Sequence, residues 1–179
     1  MPVAAMTVSL ILLTLLAWGQ PVGPDIPSVL WPPKGAKLVL VADAKGFQIY
    51  TCEQQNGQYL WAFKAPEAQL FDKRGKVIGR HFAGPSWELN DNSAVTGKII
   101  EHADAPDKEA IPWLLLAVVS HSGRGKLTNV TYIQRVNTKR GKAPAAGCGA
   151  SSASNEARSP YSATYRFYKS KGEGMLSQF

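Results

Sequence analysis

Cysteine and histidine are scarce in this chain: of 179 residues, two are cysteine (Cys52 and Cys148) and three are histidine. Two cysteines so far apart exclude a thiolate zinc site, which needs more ligands at short spacing. Charge is thin as well, at 18% of residues, against roughly 25% in an average globular domain. No stretch carries apolar residues at a convincing three-to-four spacing, so no strong amphipathic helix is expected. The Gly-x-Ser-x-Gly elbow of many hydrolases is missing. Gly123-Arg-Gly-Lys-Leu-Thr128 lacks the first glycine of a phosphate loop at its required distance. These absences remove the motif-bearing enzyme classes and leave a chain of short β-forming runs punctuated by turns.

What is present begins with an apolar leader. Met1 to Trp18 holds no charged side chain, and Ala17 and Gly19 supply small residues at the two positions a signal peptidase reads. Residues 1–19 therefore read as a secretory signal peptide cleaved after Gly19. The apolar segment is shorter than the roughly 20 residues needed to span a bilayer, so no transmembrane anchor is expected in the mature chain. Export to the periplasm or the cell exterior is oxidising, which predicts a Cys52–Cys148 disulfide.

Residues 20–34 contain Pro21, Pro24, Pro27, Pro32 and Pro33. Fixed φ and missing N–H donors make this an extended arm laid over the domain. Residues 35–179 read as a single β-rich domain. Ala36 to Ala42 and Phe47 to Cys52 are strand-like, with Gly46 expected at a turn between them. Asn56-Gly57 is a strong hairpin signal. In the following run Tyr59, Trp61 and Phe63 share one face, either as core or as a sugar-stacking platform, with core favoured. Ile111 to Val119 has no polar side chain over nine residues, so neither face should meet water and the strand should lie centrally. Leu127 to Val136 and Tyr161 to Tyr168 add strands, and Lys139 to Pro160 reads as a long loop. About nine short strands with regular turns predict an all-β sandwich or barrel.

Taken in order, Tyr50-Thr-Cys52, Trp61, Pro66-Glu-Ala68, His81, Gly84-Pro-Ser-Trp-Glu88, Ala110-Ile-Pro-Trp-Leu-Leu-Leu116, Val130-Thr-Tyr-Ile-Gln-Arg-Val136, Gly147-Cys148 and Pro160-Tyr-Ser-Ala163 form a distinctive series. The series resembles domain-of-unknown-function family 3455, a set of exported bacterial and fungal proteins, over about Ile26 to Tyr168. The resemblance implies a secreted β-rich domain and supplies no activity, substrate or catalytic residue. Asn92 stands where the family pattern has Gly, a change that a positive φ at Asn would accommodate.

Candidate chemistry concentrates in His81 to Ser93, where a histidine, an indole, two carboxylates and Gly84-Pro85 fall together. Trp87 and His81 are candidate ligand-binding residues, with Glu88 and Asp91 placing polar groups around them. The alternative is a hydrolase in which His81, Glu88 and Asp91 trade and orient protons. The competing structural reading is that both carboxylates satisfy turn amides. His81, His102 and His121 are the sole histidines available to a three-histidine metal site, but their spacing is too wide to predict one. Neither metal nor cofactor is expected. Asn129-Val-Thr131 matches a glycosylation acceptor but falls inside an expected strand.

The net charge of +7 is unevenly spread. From Gly123 onward ten basic residues face only Glu156 and Glu173. Such a basic third suits a glycan or other anionic surface ligand, whereas export argues against nucleic acid. The sequence thus supports a secreted, non-catalytic β-domain that binds a ligand or an envelope or matrix partner, and does not decide whether it is an enzyme.

Overall fold

The computed structural model describes residues 25–171, so the expected leader and its cleavage point lie outside the described residues. Eight strands run in order: β1 (Lys37–Gln55), β2 (Gln58–Phe71), β3 (Val77–Phe82), β4 (Ser86–Leu89), β5 (Ala94–Ala103), β6 (Trp113–Ser122), β7 (Tyr132–Arg140) and β8 (Glu156–Lys169). Each pairs antiparallel with its sequence neighbours, and β8 returns to pair with β1, so the sheet closes into a barrel. Closure leaves no free sheet edge.

The strands number eight rather than nine because β1 runs unbroken through Gly46 and β2 unbroken through Pro66, while Ser86–Leu89 adds the short β4; Gly46 is not a turn. It sits inside β1, opposite Ala68 of β2 and Tyr161 of β8. A Cβ built there would lie 2.5 Å from the Ala68 Cα, so glycine permits a close strand approach that a larger residue would spread. The hairpin expected at Asn56-Gly57 forms, with φ of 51° and 80°. Asn92 takes φ 66°, a left-handed conformation that Asn tolerates.

Consecutive antiparallel strands alternate the ends at which they connect. The β1–β2, β3–β4, β5–β6 and β7–β8 connections lie at one end, here the upper, and the other three at the lower. The lower end is plugged. The connection from residue 123 to 131 folds under the barrel and buries Leu127 and Val130 completely in a core with Leu70, Leu89, Trp87 and Phe167. The strand expected from Leu127 therefore starts only at Tyr132, and Asn129 lies on an exposed loop rather than in a strand.

Two buried faces on β6 have separate causes. Leu114 and Leu116 belong to the barrel interior, whereas Trp113 and Leu115 belong to a second cluster with Leu30 and Val136. Leu30 lies in a 3-10 turn, Ser28–Leu30, that crosses the barrel's outer wall. Its carbonyl accepts a 2.7 Å hydrogen bond from the buried Gln134 Nε2. A closed barrel has no central strand, so β6 escapes water because the N-terminal segment covers its outer face. Past that cover the strand is wet, and Val119 is 59% exposed.

Cys52 and Cys148 are disulfide-bonded. The bond ties the connection between β7 and β8 to β1, and Cys52 also exchanges backbone hydrogen bonds with Ser154 and Asn155. Tyr59, Trp61 and Phe63 do not form the core. They lie where the β1–β2 hairpin rises toward the upper rim. There Trp61 Nε1 donates to the Ala146 carbonyl at 3.0 Å, and Phe63 stays 56% exposed. The alternation was real, but the hairpin carries this face past the point where the barrel could bury it.

Candidate functional site

The inward positions of the upper half mix small and large side chains. Gly97 stands beside the Trp87 ring and Leu116, the small-against-large filling of small barrels. At Gly97 an added Cβ would lie 3.2 Å from the Trp87 ring, so glycine is what seats the indole. The filling is incomplete: a cavity of about 330 Å³ remains, within the range of roughly 300 to 1,000 Å³ usual for ligand sites. Its walls include Pro66, Pro85, Leu114 and Leu116, and its mouth carries Phe63 and Ile99, the latter 51% exposed.

Register brings the predicted pair together. His81 lies directly opposite Trp87 in the β3–β4 ladder, and the rings stack with centroids 4.4 Å apart. Tyr165 closes the group edge-on, 5.0 Å from His81 and 5.3 Å from Trp87. His81 is buried, and its Nδ1 lies 2.8 Å from the Ser86 carbonyl. A carbonyl only accepts, so Nδ1 carries the proton and Nε2 is left as an acceptor. Burial lowers the imidazole pKa to about 3; the Ser86 contact opposes that shift and the Arg135 charge adds to it. At neutral pH this ring is uncharged.

Glu88 and Asp91 do not join this group. Strand alternation turns Glu88 to the outer surface, where Arg80 binds its carboxylate at 2.7 Å. Asp91 caps the β4–β5 turn and the lower plug, accepting from Ser93 N, Ser93 Oγ and Lys126 N at 3.0, 2.5 and 2.9 Å. Its pKa is lowered: partial burial works upward, but these hydrogen bonds outweigh it. Nor do the histidines converge. His121 bonds the Val130 carbonyl at the lower end and His102 is exposed. Among the described residues no three His, Cys, Asp or Glu side chains gather as a metal site.

Sequence reasoning missed the polar side of the cavity: Gln48, Arg135 and Tyr165, with Lys64 near the rim. Gln48 Nε2, Trp87 Nε1 and the hydroxyls of Tyr161 and Tyr165 are buried and make no hydrogen bond of good geometry, although Gln48 lies near enough to Tyr161, and Tyr161 and Arg135 near enough to Tyr165, to interact weakly. Burial pushes the phenol pKa values of Tyr161 and Tyr165 up, while Arg135 opposes it on both. Both hydroxyls therefore keep their protons. Arg135 donates Nε and Nη2 to the Pro112 carbonyl at 3.1 and 2.8 Å. A polar residue on the same strand face as Ile133 was the available signal, since a buried polar group is the informative exception. It was hidden because Gln134 and Val136, on the opposite face, are buried too.

Residues 32–169 match the family model described as "Protein of unknown function (DUF3455)". The chain belongs to this family. No curated protein and no solved structure matches it. For a DUF3455 chain the resemblance in sequence motifs now has a spatial meaning. The Gly84-Pro-Ser-Trp-Glu88 motif forms the turn and strand that seat Trp87 against His81, and the Val130-to-Val136 motif delivers Arg135 to the cavity.

Proposed function

We propose that this protein is an extracytoplasmic, non-catalytic barrel that binds a small ligand within its upper cavity. The observation that carries this reading is a cavity with apolar walls whose polar lining includes buried donors without well-formed hydrogen bonds, a costly arrangement in a finished core. Export is supported by the disulfide, which is rare in reducing compartments. A non-catalytic role is supported by the separation of His81 from both candidate carboxylates. A hydrolase centred on His81 would need a different orienting group. A plugged, narrow cavity suits a compact ligand better than a long glycan, and the exposed lysines and arginines remain the place for any weak binding to anionic surfaces.

The experiment is uptake of the neutral fluorophore N-phenyl-1-naphthylamine by wild type and by Leu114→Phe. Wild type should enhance its emission saturably. The variant should lose uptake while melting within a few degrees of wild type, because the added ring fills existing space. If the core were already full, wild type would give no uptake and overpacking would destabilise the variant by about 1 to 3 kcal/mol. That pair of results would refute the ligand-binding reading.

A further inference from the structure

We infer that the cavity's ligand is a small monoanion, an acid with an apolar body whose carboxylate sits on Arg135. This inference rests on the ligand-binding reading and specifies its chemistry.

The cavity lining contains no Asp or Glu. Of its two cations, Lys64 forms a salt bridge with Glu156. Arg135, only partly exposed, is in none of the salt bridges among the described residues. Its two hydrogen bonds both end on one neutral carbonyl, that of Pro112. A guanidinium has five N–H donors; beyond the Pro112 carbonyl its neighbour is the neutral Tyr165 hydroxyl, so its charge is left without a counter-charge. A cation withdrawn from water without a counter-charge is unfavourable, and the missing counter-charge is what an anionic ligand supplies.

The neighbouring groups favour the same class. Trp87 Nε1 is a buried donor without an acceptor, and Gln48 Nε2 and the Tyr165 hydroxyl have only weak contacts with Tyr161 and Arg135 in place of well-formed hydrogen bonds; a carboxylate offers about four acceptor sites. The His81 imidazole is uncharged at neutral pH and adds no second cation. One unpaired charge matches a monoanion; a phosphate dianion would leave a surplus negative charge in the barrel. The body is set by the rest of the lining. The face of the Trp87 ring, with Leu114 and Leu116, is apolar, and Phe63 and Ile99 keep the mouth apolar.

The test is displacement of N-phenyl-1-naphthylamine at pH 7 by two matched pairs, octanoate with octanamide and cinnamate with cinnamamide. With whichever body fits, the acid should bind at least tenfold more tightly than its amide, since charge-assisted hydrogen bonds in a desolvated site are the stronger kind. Octylammonium should not compete. Arg135→Gln should lose the preference for acid over amide, and Arg135→Lys should keep part of it. Should Arg135→Gln fail to fold, the acid–amide comparison on wild type and Arg135→Lys still decides. Equal binding of acid and amide to a wild type that takes up the fluorophore would overturn the anion assignment alone. A wild type that takes up no fluorophore and binds neither acid would overturn the ligand-binding reading beneath it.

Discussion

His81 and Trp87 stack across the β3–β4 ladder with their planes 11° from parallel, and burial there lowers the imidazole pKa to about 3. In the unfolded chain the same ring titrates near its ordinary value of about 6.5. Below that pH the unfolded state binds the extra proton and the folded state does not until about pH 3. Stability is therefore complete above pH 6.5 and declines as pH falls, by about 1.4 kcal/mol per unit. Urea titrations between pH 6.5 and 4.5, above the range where most carboxylates titrate, should show this slope in wild type. His81→Gln should be less stable at pH 7 but much flatter over the same interval. Parallel slopes would mean the proton linkage lies elsewhere.

The disulfide closes a separation of 96 residues. A loop of that length corresponds to roughly 4 to 5 kcal/mol in the chain-entropy account. The Cys52→Ala, Cys148→Ala double variant should unfold at markedly lower denaturant. Limited trypsin digestion should also cut it near Lys142, where the freed connection between β7 and β8 begins. Unchanged midpoints would show that the loop is held by its backbone hydrogen bonds alone.

Leu30 is fully buried although it belongs to the segment outside the barrel. Leu30→Ala should cost about 2 to 5 kcal/mol, the range for a buried leucine truncated in place. Fluorophore uptake should persist in the folded fraction, since Leu30 lies on the outer wall and not in the cavity. A variant melting like wild type would show that the outer layer is dispensable.

Asp91 serves the plug. Asp91→Ala leaves the Lys126 N–H without its acceptor and removes both contacts to Ser93. The expected loss is about 1 to 3 kcal/mol, with ligand affinity in the folded protein unchanged. Loss of affinity without loss of stability would instead give Asp91 the binding role its sequence position suggested.

Much of the barrel was legible in local patterns. Asn56-Gly57 announced the first hairpin, and the alternation from Tyr161 to Phe167 placed Tyr165 on an inward face. Gly46 misled because glycine marks both turns and close strand approaches, and only the partners Ala68 and Tyr161 tell them apart. The apolar run at Ile111 to Val119 was correctly read as shielded on both faces over its first part, but the shield is Leu30, over 80 residues earlier. The candidate site divided along strand parity: Trp87 turns in beside His81, and Glu88 must then turn out. Arg135 was masked because Gln134 and Val136 on the opposite face are buried as well, and its lack of a counter-charge is a property of the fold that a sequence does not display.

The β1–β8 seam runs from Lys37 opposite Lys169 to Thr51 opposite Glu156, joining the earliest strand to the last. Until β8 has been synthesised, a growing chain has two open sheet edges and no enclosed interior. Every intermediate short of the full set carries pairing surfaces that invite association. Circularly permuted chains opened between β4 and β5 would move this long closure elsewhere, and a seam between sequence neighbours should form faster, since distant pairings slow folding. The barrel's assembly is thus timed by its final strand.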